Sequence, residues 1–343
     1  MLKGYTKQEI SWMMYDWANS AHSVIIVTLL PIFFDTVAGY TADSVSSMST
    51  WGYATSIAML IVALAAPFLG VFGDIRGMRK KLFRFFMLLG VAACAGMAFT
   101  PGMDFTSGPV AAGKVASLIL VLYIVSVIGF DASAIYYDAF LTDVTTEDRM
   151  DKVSTMGYGL GYIGGSTIPL LIFLIMNLVG VPMLTCLAFV FGLTAVWWLA
   201  FSLPLLKNCE QTSGKPYEKG DVARSIKGVG TTIKEIIANK PMLIYILSYF
   251  FYIDGVHTVI SMATTYGTNL GLDSTGMMLA LLLVQILGLP FCLLYIKCSE
   301  KFGARTMVGF GICVYMFICI FAFFMNSLWQ FWVLAVLCAT SQG

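Results

Sequence analysis

Charged side chains are scarce in this sequence of 343 residues. Asp, Glu, Lys and Arg together make up 11% of it, whereas a soluble protein carries about 25%. Hydrophobic residues make up 59%, and they fall in blocks of roughly 20, the length that crosses a bilayer. The composition therefore excludes an ordinary soluble domain and predicts a multi-pass membrane protein.

Signatures of nucleotide, metal and hydrolytic chemistry are also missing. The sequence has no GxxxxGKS or GxxxxGKT phosphate-binding loop, no HExxH and no GxSxG, so it gives no support for an ATP-driven pump, a zinc protease or a serine hydrolase. None of its eight cysteines forms a CxxC pair, and we predict neither disulfides nor a metal site. No basic tail indicates nucleic-acid binding, and we expect no cofactor.

Ten apolar blocks predict ten membrane spans. They cover approximately residues 11–34, 51–72, 82–100, 117–139, 153–178, 182–204, 241–265, 275–296, 307–325 and 328–343. With the N-terminus in the cytosol, all of the 20 Lys and Arg residues except Lys114 lie on the cytosolic side, as the positive-inside rule requires. The first block contains Asp16 and is too long for a cleavable signal peptide. The short N-terminus and compact loops favour a prokaryotic plasma membrane.

The longest connection, about 205–240, separates a half of six spans (1–204) from a second half (241–343). Apolar residues recur in this linker at nearly helical spacing, at Val222, Ile226, Val229, Ile233 and Ile237. The spacing predicts a surface helix along the cytosolic leaflet, and a plain solvated linker is the alternative. The tenth block starts near Leu328 and has no polar flank before Gly343, so we expect the second half to lack its last two spans.

Polar side chains share one face of the first span. Asp16, Asn19, Ser20 and Ser23 follow i, i+3, i+4, i+7 spacing, which places them together on a helix. An acidic residue inside a span is costly and by default indicates function. We predict that Asp16 and Asn19 line a substrate or proton pathway. Interhelical hydrogen bonds that fasten span one to a neighbour are the alternative.

Span seven carries a second polar group. Asp254 lies near its middle, and His257 and Thr258 follow about one turn later on the same face. A midplane carboxylate beside an imidazole can exchange a proton, and transporters bind substrates and coupling ions at this depth. Asp131 of span four joins the predicted pathway. Packing alone is the alternative for these residues, and for His22 a core histidine bonded to a backbone carbonyl is favoured.

A short turn occurs twice, after span two and after span eight. Its pattern is an acid, a glycine three residues later and an arginine two residues after that. The two copies are Asp74, Gly77 and Arg79, and Glu300, Gly303 and Arg305. Glycine permits a tight turn, and the acid can hold an Arg or a helix N-terminus. The repeat indicates gene duplication. We predict that both turns form a cytosolic gate together with Asp138. Asp138 and Asp143 are expected to pair there with Arg79, Arg149 or a neighbour.

These residues resemble a known family. The first copy of the turn is similar to the loop-two signature of the major facilitator superfamily, with Ile75 and Met78 in place of the usual basic residues. Residues 12–21 resemble the opening of its vacuole-effluxer-like branch; the matching positions are Trp12, Tyr15, Asp16, Trp17, Ala18, Asn19, Ser20 and Ala21. Residues 254–260 and the glycine-rich stretch 157–165 are similar to the same branch. His22 and His257 depart from its usual aromatic residue and Gln.

The resemblance implies an all-α membrane fold of two six-helix halves and transport by alternating access. The central site would be built from spans 1, 4 and 7, and from span 10 in the intact protein. Fungal members of the branch export amino acids from the vacuole, which implies amino-acid efflux here. Since no nucleotide signature occurs, energy would come from an ion gradient or the solute's own gradient, and the intramembrane carboxylates favour protons. We expect a monomer whose partners are a small-molecule substrate, protons and membrane lipids.

Three alternatives remain open from the sequence. The solute could be a sugar, a peptide or a drug, because specificity depends on side chains converging from several helices. A non-transporting membrane sensor is a second reading. An intramembrane prenyl or lipid transferase is disfavoured, because it needs clustered acids for a metal-bound diphosphate, and Asp131 and Asp138 are too far apart to form one within a single turn. We therefore predict that the protein is not an enzyme.

Overall fold

The computed structural model describes residues 4–41, 44–214, 216 and 221–341. Twelve α-helices occur in these ranges. The first seven are α1 (Lys7–Ala38), α2 (Ser44–Gly73), α3 (Arg79–Met97), α4 (Pro109–Val144), α5 (Met150–Leu160), α6 (Thr167–Leu178) and α7 (Met183–Asn208). The remaining five are α8 (Asp221–Ala238), α9 (Lys240–Asn269), α10 (Ser274–Phe302), α11 (Ala304–Phe323) and α12 (Leu328–Ser341). A π-helical segment, Gly161–Ser166, joins α5 and α6 into one span.

Nine of the described helices are long and apolar enough to cross a membrane, with α5, the π-helical segment and α6 counted as one. They match the first nine predicted spans, and the expectation of an all-α membrane protein is confirmed. The apolar helix at the tenth position, α12, has 14 residues. The predicted linker of about 205–240 overlaps the end of α7. This helix continues to Asn208, and Leu205 is buried in the core.

The amphipathic linker helix is present as α8, between α7 and α9. Of its five apolar positions, Val222 and Ile226 lie outside the described side chains. Ile233 and Ile237 are exposed. The helix itself therefore matches the prediction, whereas its contact with a lipid leaflet stays a prediction.

Buried apolar side chains form two clusters. The first lies mainly in α1–α7, which we call the N-terminal bundle, and includes Tyr15, Phe83 and Trp198; it also takes in Met278 and Leu282 of α10. The second lies in α9–α12, which we call the C-terminal bundle, and includes Met277 and Phe331. The C-terminal bundle thus has a core of its own, and its helix α10 also packs into the core of the N-terminal bundle.

Short turns connect successive helices, so the helices alternate in direction. We call the side at which α1 begins the basic face, because the turns at Gly77, Arg149 and Gly303 lie there. Gly77 and Gly303 have φ values of 80° and 83°, a region that favours glycine over other residues. Both copies of the repeated turn predicted from the sequence thus require a glycine with positive φ. The side at which α1 ends is called the opposite face.

The crossing of α3 and α4 is a close backbone contact in the N-terminal bundle. A Cβ added to Gly129 of α4 would lie 2.5 Å from the backbone nitrogen and 2.6 Å from the Cα of Gly90 in α3. Neither helix can retreat locally, since the contact is backbone against backbone. Small residues at such crossings let membrane helices approach closely.

We expect Gly129→Ala to destabilise the protein by about 2 kcal/mol, because the added methyl group overpacks this crossing. The matched control is Gly113→Ala on the same helix, where an added Cβ meets nothing within 4 Å. Thermal unfolding of the purified protein in detergent should show a lower Tm for Gly129→Ala and an unchanged or slightly higher Tm for Gly113→Ala. Equal Tm values for the two variants would contradict the assigned crossing.

Candidate functional site

The polar face of α1 is buried against α4 and α5. Asp16 is 9% exposed, and its Oδ2 accepts a hydrogen bond of 2.7 Å from the phenol of Tyr137 on α4. A Cβ added to Gly157 of α5 would lie 2.5 Å from the same carboxylate oxygen. Asn19, one turn further along α1, is also buried. The hydrogen bond from Tyr137 fastens α1 to α4 at Asp16, and a place for Asp16 and Asn19 in a substrate or proton pathway stays a prediction.

The glycines of the fifth span receive the same face of α1. An added Cβ at Gly161 would lie 2.5 Å from Ser20 Oγ, and one at Gly165 would lie 2.5 Å from the carbonyl oxygen of Trp17. At Gly164 it would overlap the indole ring of Trp17. All three glycines belong to the π-helical segment, a feature often found at functional sites. These glycines allow α1 to pack closely against the π-helical segment, and they are not needed for a turn.

An aromatic frame holds the phenol that binds Asp16. The rings of Trp12 and Tyr137 stack with centroids 4.3 Å apart and an interplanar angle of 13°. Trp12 Nε1 also donates to the carbonyl oxygen of Tyr137 over 2.8 Å. Sequence reasoning missed Tyr137, because a tyrosine in an apolar span carries no pattern that marks it as the partner of an acid in another span.

Two exposed side chains lie beside Asp16, on the side that faces the C-terminal bundle. Asp138 of α4 is exposed, and Tyr158 of α5 is 56% exposed. Tyr158 lies close enough to Asp16, Asp138 and Cys292 of α10 to interact electrostatically with each. Since Cys292 belongs to the C-terminal bundle, these groups border the space between the bundles. Asp138 was predicted at the cytosolic gate, and that role stays a prediction.

Asp131 differs from the other acids of the spans. Its Oδ2 is buried and has no hydrogen-bond partner among the described residues. It interacts electrostatically with Tyr123, on the same helix. An orphaned carboxylate oxygen in an apolar span is costly, which keeps Asp131 among the candidate pathway residues.

The predicted polar group on span seven lies on the exposed side of α9. Asp254, His257 and Thr258 are all exposed there, and Asp254 interacts electrostatically with His257. The structure therefore brings Asp254 and His257 together, and their part in a substrate or proton pathway stays a prediction.

His22 lies in the core of the N-terminal bundle. Its Nε2 is 3.3 Å from Ser126 Oγ, and its ring stacks on Phe130 with centroids 4.7 Å apart. The core placement agrees with the prediction, but the expected backbone carbonyl is wrong as the partner. A serine hydroxyl takes that place, because Ser126 itself donates to the carbonyl of Tyr123 and turns its oxygen toward the ring.

Arg79 is the centre of a buried network at the basic face. It forms an ion pair with Asp143 of α4, whose side chain is 0% exposed against 5% for Arg79, and it donates to the carbonyl of Ala139 over 2.9 Å. Asp74 is 3.8 Å away and 81% exposed. Of the two acids expected to pair with Arg79, Asp143 forms the ion pair. Asp143 lies five residues closer to the end of α4 than Asp138, and this end of α4 packs beside the start of α3, which carries Arg79.

The segment that follows α7 binds the same network. Gln211 Oε1 accepts hydrogen bonds from the backbone N–H groups of Gly77 (2.8 Å) and Arg79 (3.2 Å). Asp143 Oδ1 accepts from the backbone and side chain of both Thr212 and Ser213, at distances between 2.8 and 3.0 Å. No sequence pattern predicted this clamp, because its residues lie more than 60 positions from their partners.

A second ion pair ties α1 to the turn before α5. Arg149 donates to both carboxylate oxygens of Glu9, each over 2.9 Å, and Thr145 donates to Glu9 over 2.7 Å. Glu9 also closes a capping box with Thr6 at the start of α1. Arg149 was predicted as a possible partner of Asp138 or Asp143 in span four. It pairs with Glu9 of α1 instead.

The second copy of the repeated turn lies between α10 and α11. Gly303 makes the turn, and Arg305 is exposed. The side chain of Glu300 lies outside the described residues. No ion pair from Arg305 occurs in the described part of the chain. A joint gate of both turns therefore stays a prediction.

Solved structures of low sequence identity share this fold. The xylose transporter XylE from E. coli, in an inward open conformation, aligns with a TM-score of 0.58 and 15% identity over 98% of this chain and 79% of that chain. A bacterial homologue of the human lysosomal transporter Spinster aligns with a TM-score of 0.62 and 14% identity over 98% of this chain and 72% of that chain. The fold is that of the major facilitator superfamily.

Sequence relatives identify the family within this superfamily. A family model described as vacuole effluxer Atg22 like matches residues 40–343. An uncharacterized transporter of the major facilitator type, YxiO of Bacillus subtilis, is 40% identical over all of this chain and 79% of its own length. Autophagy-related protein 22-1 of Penicillium rubens is 24% identical over 48% of this chain and 30% of its own length. The chain belongs to the vacuole effluxer Atg22-like family and is a multi-pass membrane transporter of the major facilitator type.

We expect Asp143→Asn to lower the stability by about 3 kcal/mol, because it leaves the buried Arg79 without its counter-charge. Asp74→Asn is the matched control, since the same chemical change at an exposed acid should leave the Tm within about a degree. Thermal unfolding in detergent measures both. Equal Tm losses would show that Arg79 does not depend on Asp143.

Proposed function

We propose that the protein is a secondary active transporter that exports amino acids by alternating access, with coupling to protons. The observation that carries the proposal is the group of Asp16, Asp138 and Tyr158, which borders the space between the bundles, in a chain of the Atg22-like family. Asp138 is exposed there beside Asp16 and Tyr158. Asp254 is exposed on α9 beside His257. Acids at such positions suit the binding of an ammonium group or a proton.

The transport cycle in this proposal is a rocking of the two bundles. The ion pairs at the basic face keep the N-terminal bundle rigid while the turns at Gly77 and Gly303 approach and separate. The basic face is the cytosolic one by the positive-inside rule, and a bacterial plasma membrane is supported by the 40% identical relative from Bacillus subtilis. We propose a monomer as the transporting unit, because a single chain supplies both bundles.

The test uses the full-length protein in proteoliposomes. Exchange of a labelled amino-acid mixture is measured with and without an imposed pH gradient, against liposomes without protein. Exchange that responds to the gradient supports the proposal. No exchange of any amino acid by folded protein would discard this substrate class and leave the fold assignment untouched.

We expect Asp254→Asn to abolish pH-driven accumulation while leaving expression intact, because the amide cannot release a proton. Asp104→Asn in the loop before α4 is the matched control. Asp104 is exposed, and hydrogen bonding by Ser107 lowers its pKa, so it stays ionised across the neutral range and carries no proton. Uptake measured at several external pH values distinguishes the two variants. An unchanged pH dependence of uptake in Asp254→Asn would exclude a proton role for Asp254.

We expect Arg79→Ala to slow exchange by about tenfold and to leave solute affinity nearly unchanged, since the turn at Gly77 loses the charge-assisted hydrogen bonds that hold it rigid while the bundles rock. Lys114→Ala, an exposed basic residue toward the opposite face, should change neither quantity. Exchange rates and competition binding measure the two effects. A selective loss of affinity would contradict the gate assignment.

A further inference from the structure

A small polar cavity lies where the two bundles meet near the opposite face. Its volume is about 10 Å³, which holds a single water molecule. Polar side chains from three helices line it: Asp35 of α1, Ser47 and Trp51 of α2, and Thr265, Thr268 and Asn269 of α9. Two helices of the N-terminal bundle and one of the C-terminal bundle therefore share this space.

The bundles are in direct contact beside the cavity. Thr264 of α9 donates a hydrogen bond of 3.2 Å to the carbonyl oxygen of Val27 in α1. Thr264 is buried, and its neighbour Thr265 lines the cavity. The cavity is thus part of a seal that has to break if the bundles separate at the opposite face.

Two buried donors at the cavity have no partner among the described residues. Trp51 is 1% exposed, and its Nε1 makes no hydrogen bond; Thr265 Oγ1 is likewise buried and unbonded. The indole cannot turn to find another acceptor, because its ring packs against Tyr123 (centroids 4.3 Å apart) and Phe34 (5.5 Å). Buried donors of this kind are normally satisfied by protein or by ordered water.

The chemistry of the lining selects the ligand. An indole N–H only donates, so a metal cation would leave Trp51 unsatisfied. An anion would meet the carboxylate of Asp35, which already accepts from Ser47 over 2.6 Å. Water can accept from Trp51 and Thr265 and can donate to Asp35, because a carboxylate accepts more than one hydrogen bond.

We propose that one water molecule occupies this cavity and joins Trp51 of the N-terminal bundle to Thr265 of the C-terminal bundle, holding the opposite face closed. The water is then a structural part of the gate on this face. The proposal concerns the closed contact and is independent of which solute the protein carries.

The test measures the opening of this face directly. Nitroxide labels are placed at Tyr40 and Leu270, which are exposed on the two bundles near the opposite face, in a background without native cysteines. Double electron–electron resonance gives the ratio of open to closed distances. Trp51→Phe and Thr265→Val each remove one donor, and we expect each to raise the ratio about three- to tenfold. Thr265→Val keeps the shape of its side chain and is the cleaner variant, because Trp51→Phe also removes part of the volume of a buried ring.

The double variant carries the decisive comparison. If both donors share one water, Trp51→Phe with Thr265→Val should open the face no further than the stronger single change, since each already releases the water. Thr264→Val is the contrasting control: it breaks the direct bond to Val27, so its effect should multiply with that of Trp51→Phe. Trp329→Phe, an exposed indole, should have no effect.

Two results would overturn the proposal. One is an unchanged ratio in both single variants, and the other is a double variant whose effect equals the product of the single ones. An experimental structure of the closed state gives an independent measure. A solvent molecule within hydrogen-bond distance of Trp51 Nε1 supports the assignment, and a dry cavity contradicts it.

Discussion

A carboxyl group inside an apolar helix bundle has to find a hydrogen-bond donor, and Asp16 finds the phenol of Tyr137. Much of the N-terminal bundle is arranged around that bond. Trp12 holds Tyr137 in place from α1, and the glycines of the fifth span let α1 come close enough for the carboxylate to be buried. The cost of one charged residue in a membrane span thus determines which helices touch and where side chains must be absent.

The two faces of the bundle are stabilised in different ways. At the basic face, the ion pairs of the described residues, Arg79 with Asp143 or Asp74 and Arg149 with Glu9, lie within the N-terminal bundle. Near the opposite face, the contacts include hydrogen bonding between the bundles, as from Thr264 to Val27. Strong charge pairs therefore make one bundle rigid, and weaker neutral contacts join it to the other. Such a division suits a protein whose two bundles separate and rejoin.

The acids of the spans differ in environment although the sequence presents them alike. Asp16 is bonded and buried, Asp131 has an orphaned oxygen, and Asp138 and Asp254 are exposed. Polar spacing predicted that Asp16 and Asn19 share a face, and they do. It could not show that this face meets the glycines of the fifth span, because the rotation of α1 against α5 depends on every contact along both helices.

Local chemistry by itself determined the spans, the helical linker segment and the turns at Gly77 and Gly303, since bilayer thickness, helical periodicity and positive φ are each read over a few neighbouring residues. The family was also evident from short motifs. Tertiary structure alone decided that Arg79 pairs with Asp143, that Gln211, Thr212 and Ser213 clamp the same turn, and that Trp51 and Thr265 face one cavity. These contacts join residues far apart in the chain, and their geometry follows from how whole helices pack.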